Sequence, residues 1–307
     1  ITGQSLISKA VSAAKNAELS LNTWQEYQGN TQSEFDKQRA LAIELKHAIT
    51  HNTLTIYHQP QVDLKTRKVC SSESLARWFH PTNGEIPPET FIPLAEQFGL
   101  MNELTLWVLK TAFKQQSILV SQQTTSPMIS VNISLHDLIH EQFLLNVIDI
   151  IESSDITADK VVFEVDGDLS LSSNERALYT IQQLQEIGIT ISTNCFGYNY
   201  TELAKSGQSS FQELKIDHEI TEDIESLSHK QAIATGLIAL AKGLNMEVVA
   251  EGIINEKQEQ YLRDIGCDIG QGFFYAKPMT IDDYLYWLSQ LKEGRASHTI
   301  EGELITE

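Results

Sequence analysis

From residue 53 onward, short runs rich in Val, Ile and Leu alternate with longer stretches whose apolar residues recur every three or four positions. Residues 54–64, 69–78, 128–132, 161–165, 190–196, 213–217, 247–250 and 269–275 read as strands. Between the later ones lie helical patterns, clearest in Ile233, Leu237, Leu240, Ala241 and Leu244. Strands alternating with helices predict an α/β fold, a modified (β/α)8 TIM-like barrel. The first two strands are separated by only Lys65, Thr66 and Arg67 in polar sequence, too short for a parallel crossover, so the first strand is expected to run antiparallel.

Upstream, Leu6, Ala10, Ala13, Ala14, Ala17, Leu21 and Trp24 recur at helical spacing. A lone helix cannot bury that face, so residues 1–28 read as the last helix of a preceding domain or as a signalling helix. Residues 29–37 are polar and interrupt the pattern, and Leu41, Leu45, Ala48 and Ile49 start a new helix. The expected organisation is therefore a helix over 1–28, a linker or signalling helix over 29–42, a barrel domain over 43–290 and an acidic tail over 291–307.

The 307 residues carry a net charge of −19, and 41% are hydrophobic. That content supplies a core, while no apolar run approaches the roughly 18 residues of a bilayer span. The acid excess repels polyphosphate backbones, which excludes non-specific nucleic-acid binding. A small anionic ligand needs local cations to overcome this field. Cys70, Cys195 and Cys267 have no C-x-x-C spacing and are odd in number, which fits a reducing, cytoplasmic compartment rather than a disulfide or zinc scaffold. The chain opens at Ile1 with neither a basic nor an apolar leader segment, and is expected to be a piece of a longer protein, with inner-membrane tethering left to its missing upstream part.

The strand ends carry the chemistry. In order they offer Glu73, Asn132, Glu164, Asn194 with Cys195, Lys215 with Asp217, Glu251 and Gln271. In a barrel these ends converge on one face, where active sites sit. As isolated residues each is an ordinary polar strand end; their order favours a site. Lys215 could equally serve to neutralise buried acids.

At these positions the chain resembles the EAL family of cyclic di-GMP phosphodiesterase domains. The E-A-L-x-R-W signature is matched by Glu73-Ser74-Leu75-Ala76-Arg77-Trp78, followed by His80-Pro81, Gly84, Pro88, Phe91, Ile92, Ala95-Glu96 and Gly99. Further matches are Tyr57, Gln59-Pro60, the run from Ser130 to Ser134, Phe196-Gly197, Leu214-Lys215-Ile216-Asp217, Val249-Ala250-Glu251-Gly252, Gly270-Gln271-Gly272 and Lys277-Pro278. Residues 1–28 resemble the closing helix of a GGDEF domain, which implies such a domain upstream in the same chain. The resemblance implies two Mg²⁺ or Mn²⁺ ions that activate water against a phosphodiester. It assigns Glu73, Asn132, Glu164, Asn194 and Cys195 to the metal positions, and Lys215, Glu251 and Gln271 to vestigial catalytic ones. Gln59, Leu75, Arg77, Asp217, Glu251, Gly252 and Pro278 are assigned to the ligand.

Departures from the family pattern bear on activity. The paired acids of D-D-F-G are replaced by Asn194-Cys195, which removes two charges and substitutes a soft sulfur that suits Mg²⁺ poorly. The second acid of E-x-T-E is replaced by Gly167, and E-G-V-E becomes Glu251-Gly252-Ile253-Ile254. Asp166 shares the facing of Glu164 by the period of two and is a candidate substitute ligand. The expectation is a degenerate domain that is silent or strongly impaired in catalysis, with metal at most weakly held and none required. It would act as a cyclic di-GMP receptor; the alternatives are a nucleotide-independent scaffold for an unknown protein partner and a residual phosphodiesterase. A homodimer is implied by resemblance. Cys195 reads as an inert thiol. The pairs His47/His51 and His136/His140 lack the H-E-x-x-H form and read as solvated or capping residues.

Overall fold

Helix α1 (Asn30–Thr50) buries Ala42, Leu45, Ala48 and Ile49 and ends where Asn52 turns left-handed at φ 55°. The molecule is a computed structural model that describes residues 30–122, 127–165, 174–194 and 211–292. The expectations for the helix over 1–28, Asp166, Gly167, Cys195, Phe196-Gly197 and the tail beyond 292 lie outside the described residues.

Strands β1 (Thr55–Asp63) and β2 (Val69–His80) pair antiparallel, with a register shift at Gln61/Val62. The turn between them is fixed by the Asp63 carboxylate, which accepts from the Thr66 N–H at 2.6 Å, and by left-handed Arg67. Strand β2 runs past the barrel rim and folds back through β3 (Gly84–Ile86), a hairpin the sequence pattern does not reveal. Then come α2 (Pro88–Gln97), α3 (Met101–Gln122), β4 (Met128–Ile133), α4 (Leu135–Ile139), α5 (Phe143–Glu152), β5 (Val161–Val165), α6 (Glu175–Glu186) and β6 (Thr190–Asn194). The chain continues with β7 (Glu213–Ile216), α7 (His218–Thr221), α8 (Ser228–Gly243), β8 (Glu247–Ala250), α9 (Glu256–Asp264), β9 (Ile269–Gln271) and α10 (Ile281–Lys292).

Strands β2 and β4 through β9 run parallel in order, and β1 closes the ring antiparallel against both β9 and β2. The expected barrel with its antiparallel first strand is what the chain forms. Two details differ. β9 stops at Gln271, because Gly272 turns the chain against Ile253 so closely that any Cβ there would run into the Ile253 backbone. In α8 the buried stripe is Ala234, Leu237, Ile238 and Ala241, while Ile233 and Leu240 are exposed. Small alanines let this helix approach the barrel on a face one position away from the bulkier ladder.

The strands sort their side chains by the period of two. Outward positions are apolar, as where Phe163 meets Phe143 of α5 at 6.5 Å between ring centres. Most inward positions are polar: Gln61, Glu73, Ser130, Glu164, Ser192, Glu213, Lys215 and Gln271 are all buried, with Val162 and Val249 as apolar members of the same facing. A lumen this polar needs partners, and around Glu73, Lys215 and Gln271 the side chains supply them to one another.

Two predictions arise here. Gly272→Ala forces the β9 turn open and should cost about 3 kcal/mol, lowering the melting temperature by roughly 6–12 °C in a thermal scan. Burial pushes the thiols of both Cys70 and Cys267 up to about 12, and Cys267 also donates to backbone carbonyls. With so little thiolate, neither should be alkylated in the native protein near pH 8, as read by peptide mass spectrometry; rapid labelling of Cys267 would contradict its packing.

Candidate functional site

Four strands aim one charged cluster at the lumen's upper layer. Lys215 projects from β7 and its Nζ lies 2.6 Å from Glu164 on β5, 2.5 Å from Glu251 just past β8, and 3.5 Å from Glu73 on β2. β7 and β2 are not neighbours in the sheet, so the contact with Glu73 crosses the barrel's interior. Glu73 is also held by donors: Asn132 Nδ2 at 2.7 Å and Gln271 Nε2 at 2.6 Å. Gln271 Nε2 reaches Gln59 Oε1 at 3.1 Å and Gln271 Oε1 accepts from Gln61 Nε2 at 2.8 Å, which fixes its amide orientation. Ser130 Oγ donates to Glu164.

Three carboxylates against one ammonium leave two negative charges in a dry space. For Lys215, burial pulls the pKa down but Glu164, Glu73 and Glu251 outweigh it and hold the group well above its ordinary range. Burial, then the neighbouring Glu73 charge, pushes Glu164 up to about 8 despite Lys215. Glu251 is likewise raised, chiefly by burial. At Glu73 burial also opposes ionisation, but Lys215 and the donors Gln271 and Asn132 prevail, and its pKa falls. The cluster meets its charge excess partly by retaining a proton near neutral pH.

One oxygen from each of Glu73, Glu164 and Glu251 lies within 4.8 Å of the others. An all-oxygen donor set with excess negative charge fits a hard divalent cation such as Mg²⁺ or Mn²⁺. Asn194 ends β6 directly in register with Lys215 and contributes an amide rather than a charge.

The cluster opens into a cleft with two lobes that share Leu75. One, of about 200 Å³, is lined by Arg77, Pro88, Phe91, Met101, Asn132 and Glu164 among others. The other, of about 460 Å³, is lined by Gln59, Glu73, Glu251, Gly252, Gln271 and Phe273 among others. The Arg77 guanidinium sits 5.7 Å from the Tyr57 ring centre and 3.7 Å from Glu85 on β3, so the β2–β3 hairpin steers it along the first lobe. Gly252 is left-handed at φ 70°, and a Cβ there would lie 2.5 Å from that of His218. A substitution would push α7 out of the second lobe's wall.

Of the residues read from sequence, Glu73, Asn132, Glu164, Lys215, Glu251, Gln271 and Gln59 come together in one network. Leu75, Arg77 and Gly252 line the cleft. Asp217 instead caps α7, accepting from the Glu219 N–H at 2.7 Å, and neither it nor Pro278 lines either lobe. Sequence reasoning passed over Gln61 and Met101, and took Pro88 and Phe91 as motif matches without placing them in the site's apolar wall. Gln61 shares the facing of Gln59 by the period of two; the wall residues come from helices, whose approach to the rim has no local signal. His47 and His51 stack on one another at 3.7 Å on the exposed side of α1, consistent with a solvated role.

The profile of the EAL domain family matches residues 42–278. Among curated proteins, the oxygen sensor protein DosP of Escherichia coli K12 is 28% identical over 270 residues, covering 88% of this chain and 34% of DosP. The bifunctional diguanylate cyclase/cyclic di-GMP phosphodiesterase MucR of Pseudomonas aeruginosa is 29% identical over 259 residues, covering 84% of this chain and 38% of MucR. This chain thus spans little more than a third of those relatives. The solved PaMucR phosphodiesterase in complex with c-di-GMP superposes with a TM-score of 0.74 at 29% identity, over 80% of this chain and 99% of that one. The EAL enzyme Bd1971, in its cAMP and cyclic-di-GMP bound form, gives 0.77 at 27% identity, over 84% and 70%. Among the described residues no helix is long and apolar enough to cross a membrane.

Proposed function

Since this chain belongs to the EAL domain family, we propose that it is a cyclic di-GMP receptor that cleaves its ligand very slowly or not at all. One observation carries this reading: at the lumen's centre Lys215 is already shared among three glutamates, and the strand end facing it carries neutral Asn194. The EAL pattern has an acid there and another at the next position, which is Cys195 here. The choice of ligand is supported by the c-di-GMP held in the PaMucR and Bd1971 structures. Two lobes on either side of Leu75 suit the two bases of a cyclic dinucleotide, with Arg77 placed to take up phosphate charge.

If a cation binds, Glu73, Glu164 and Glu251 would hold it, with Asn132 and Asn194 beside them. When bound, such an ion polarises a phosphoryl oxygen and acidifies a water. Without the acid pair, the remaining charge suffices for one divalent ion rather than two. Around this, Gln271 and Asn132 keep Glu73 ionised and oriented, and Lys215 supplies positive charge to a bound phosphate. The signal from an occupied mouth would pass through α1 to an upstream GGDEF-like domain or a protein partner, with a homodimer as the working assembly.

Binding a cation at Glu164 must expel the proton that its pKa of about 8 retains at neutral pH. Mn²⁺ affinity should therefore rise as pH increases from 7 towards 8 and level off above it, approaching tenfold per unit at the low end. Titrations at pH 7 and 9 check this; equal affinities would contradict it. The receptor reading itself is tested by calorimetry of cyclic di-GMP in the presence of EDTA. A micromolar Kd is expected, and no heat of binding at about 100 μM ligand would overturn the reading.

A further inference from the structure

We infer that Lys215 is the resident counter-cation of the lumen, and that a divalent ion can enter only by displacing its ammonium from the three glutamates. The proposal deepens the reading above, on which it rests for where a cation would go. Lys215 is 2% exposed and its Nζ touches Glu251 at 2.5 Å and Glu164 at 2.6 Å, with Glu73 at 3.5 Å. Those are the same three groups whose oxygens converge within 4.8 Å. A Mg²⁺ or Mn²⁺ ion about 2.1 Å from the two nearer oxygens would stand no more than about 4.7 Å from Nζ, beside the buried carboxylates of Glu73 and Glu164. Two cations at that separation repel strongly.

The ammonium has little reason to leave unaided. Asn194, in register with Lys215 on β6, is uncharged and so draws the ammonium less than a carboxylate there would. Glu213 lies on the same strand two residues earlier and is buried, but its raised pKa, chiefly from burial, favours its neutral form. The side chain thus does in the resting protein what a metal ion would do, and the two states exclude one another.

Mn²⁺ titrations followed by electron paramagnetic resonance, on the whole chain and on Lys215→Met, test this directly. Removing the ammonium should tighten Mn²⁺ binding at least tenfold; unchanged or weaker binding would overturn the inference. Should Lys215→Met fail to fold by circular dichroism, Lys215→Gln carries the same comparison while retaining a hydrogen-bond donor. On the unaltered chain, millimolar Mn²⁺ should raise amine labelling of Lys215 several-fold by peptide mass spectrometry, and unaltered labelling would count against displacement. These readouts do not involve nucleotide, so a failure to bind cyclic di-GMP and a failure of this exchange are separately visible.

Discussion

Introducing two acids, Asn194→Asp together with Cys195→Asp, should turn the chain into a metal-dependent phosphodiesterase whose turnover exceeds the parent's by at least about 100-fold. That factor corresponds to about 2.7 kcal/mol of transition-state stabilisation, a modest demand on two added carboxylates at a dry cation site. The argument is one of charge. Glu73, Glu164 and Glu251 are countered by Lys215 alone, so they can accept one divalent ion before the lumen becomes neutral. Adding an acid beside Lys215 on the adjacent strand pulls the ammonium aside and supplies charge for a second ion. Chromatography of cyclic di-GMP incubated with Mn²⁺ reads the outcome. A folded double variant that yields no linear product would show that the acid pair is not what limits the parent.

The second large effect is expected from Arg77→Ala, which should weaken cyclic di-GMP binding by roughly 10- to 150-fold, the equivalent of about 1.5–3 kcal/mol for a charge-assisted contact. Arg77 lines the smaller lobe, is held over the Tyr57 ring and is only loosely paired with Glu85 at 3.7 Å, so it can turn to a phosphate with little to give up. Calorimetry on the variant checks this, with Arg77→Lys expected to recover part of the loss. Unchanged affinity in Arg77→Ala would place the ligand elsewhere.

The barrel was legible because short Val-, Ile- and Leu-rich runs alternate with helical patterns, and because Lys65 to Arg67 is too short a link for a parallel crossover. The converging site was legible from strand ends, since topology alone brings Glu73, Glu164, Lys215 and Gln271 together. What escaped depends on long-range geometry. The β2–β3 hairpin that steers Arg77 has only three residues in its return strand, too few for a period to register. The α8 face shifted because alanine packing, rather than the largest side chains, sets how that helix seats. Asp217 read as a ligand group on the strength of its motif, yet locally it is an N-cap, a role its sequence position before a short helix also permits.

The account's central claim concerns how many cations this lumen can hold, and counting bound Mn²⁺ per chain in the presence of cyclic di-GMP tests it most directly. The prediction is one weakly held ion at most, with the nucleotide recovered intact. Two tightly held, magnetically coupled ions accompanied by rapid cleavage would contradict it.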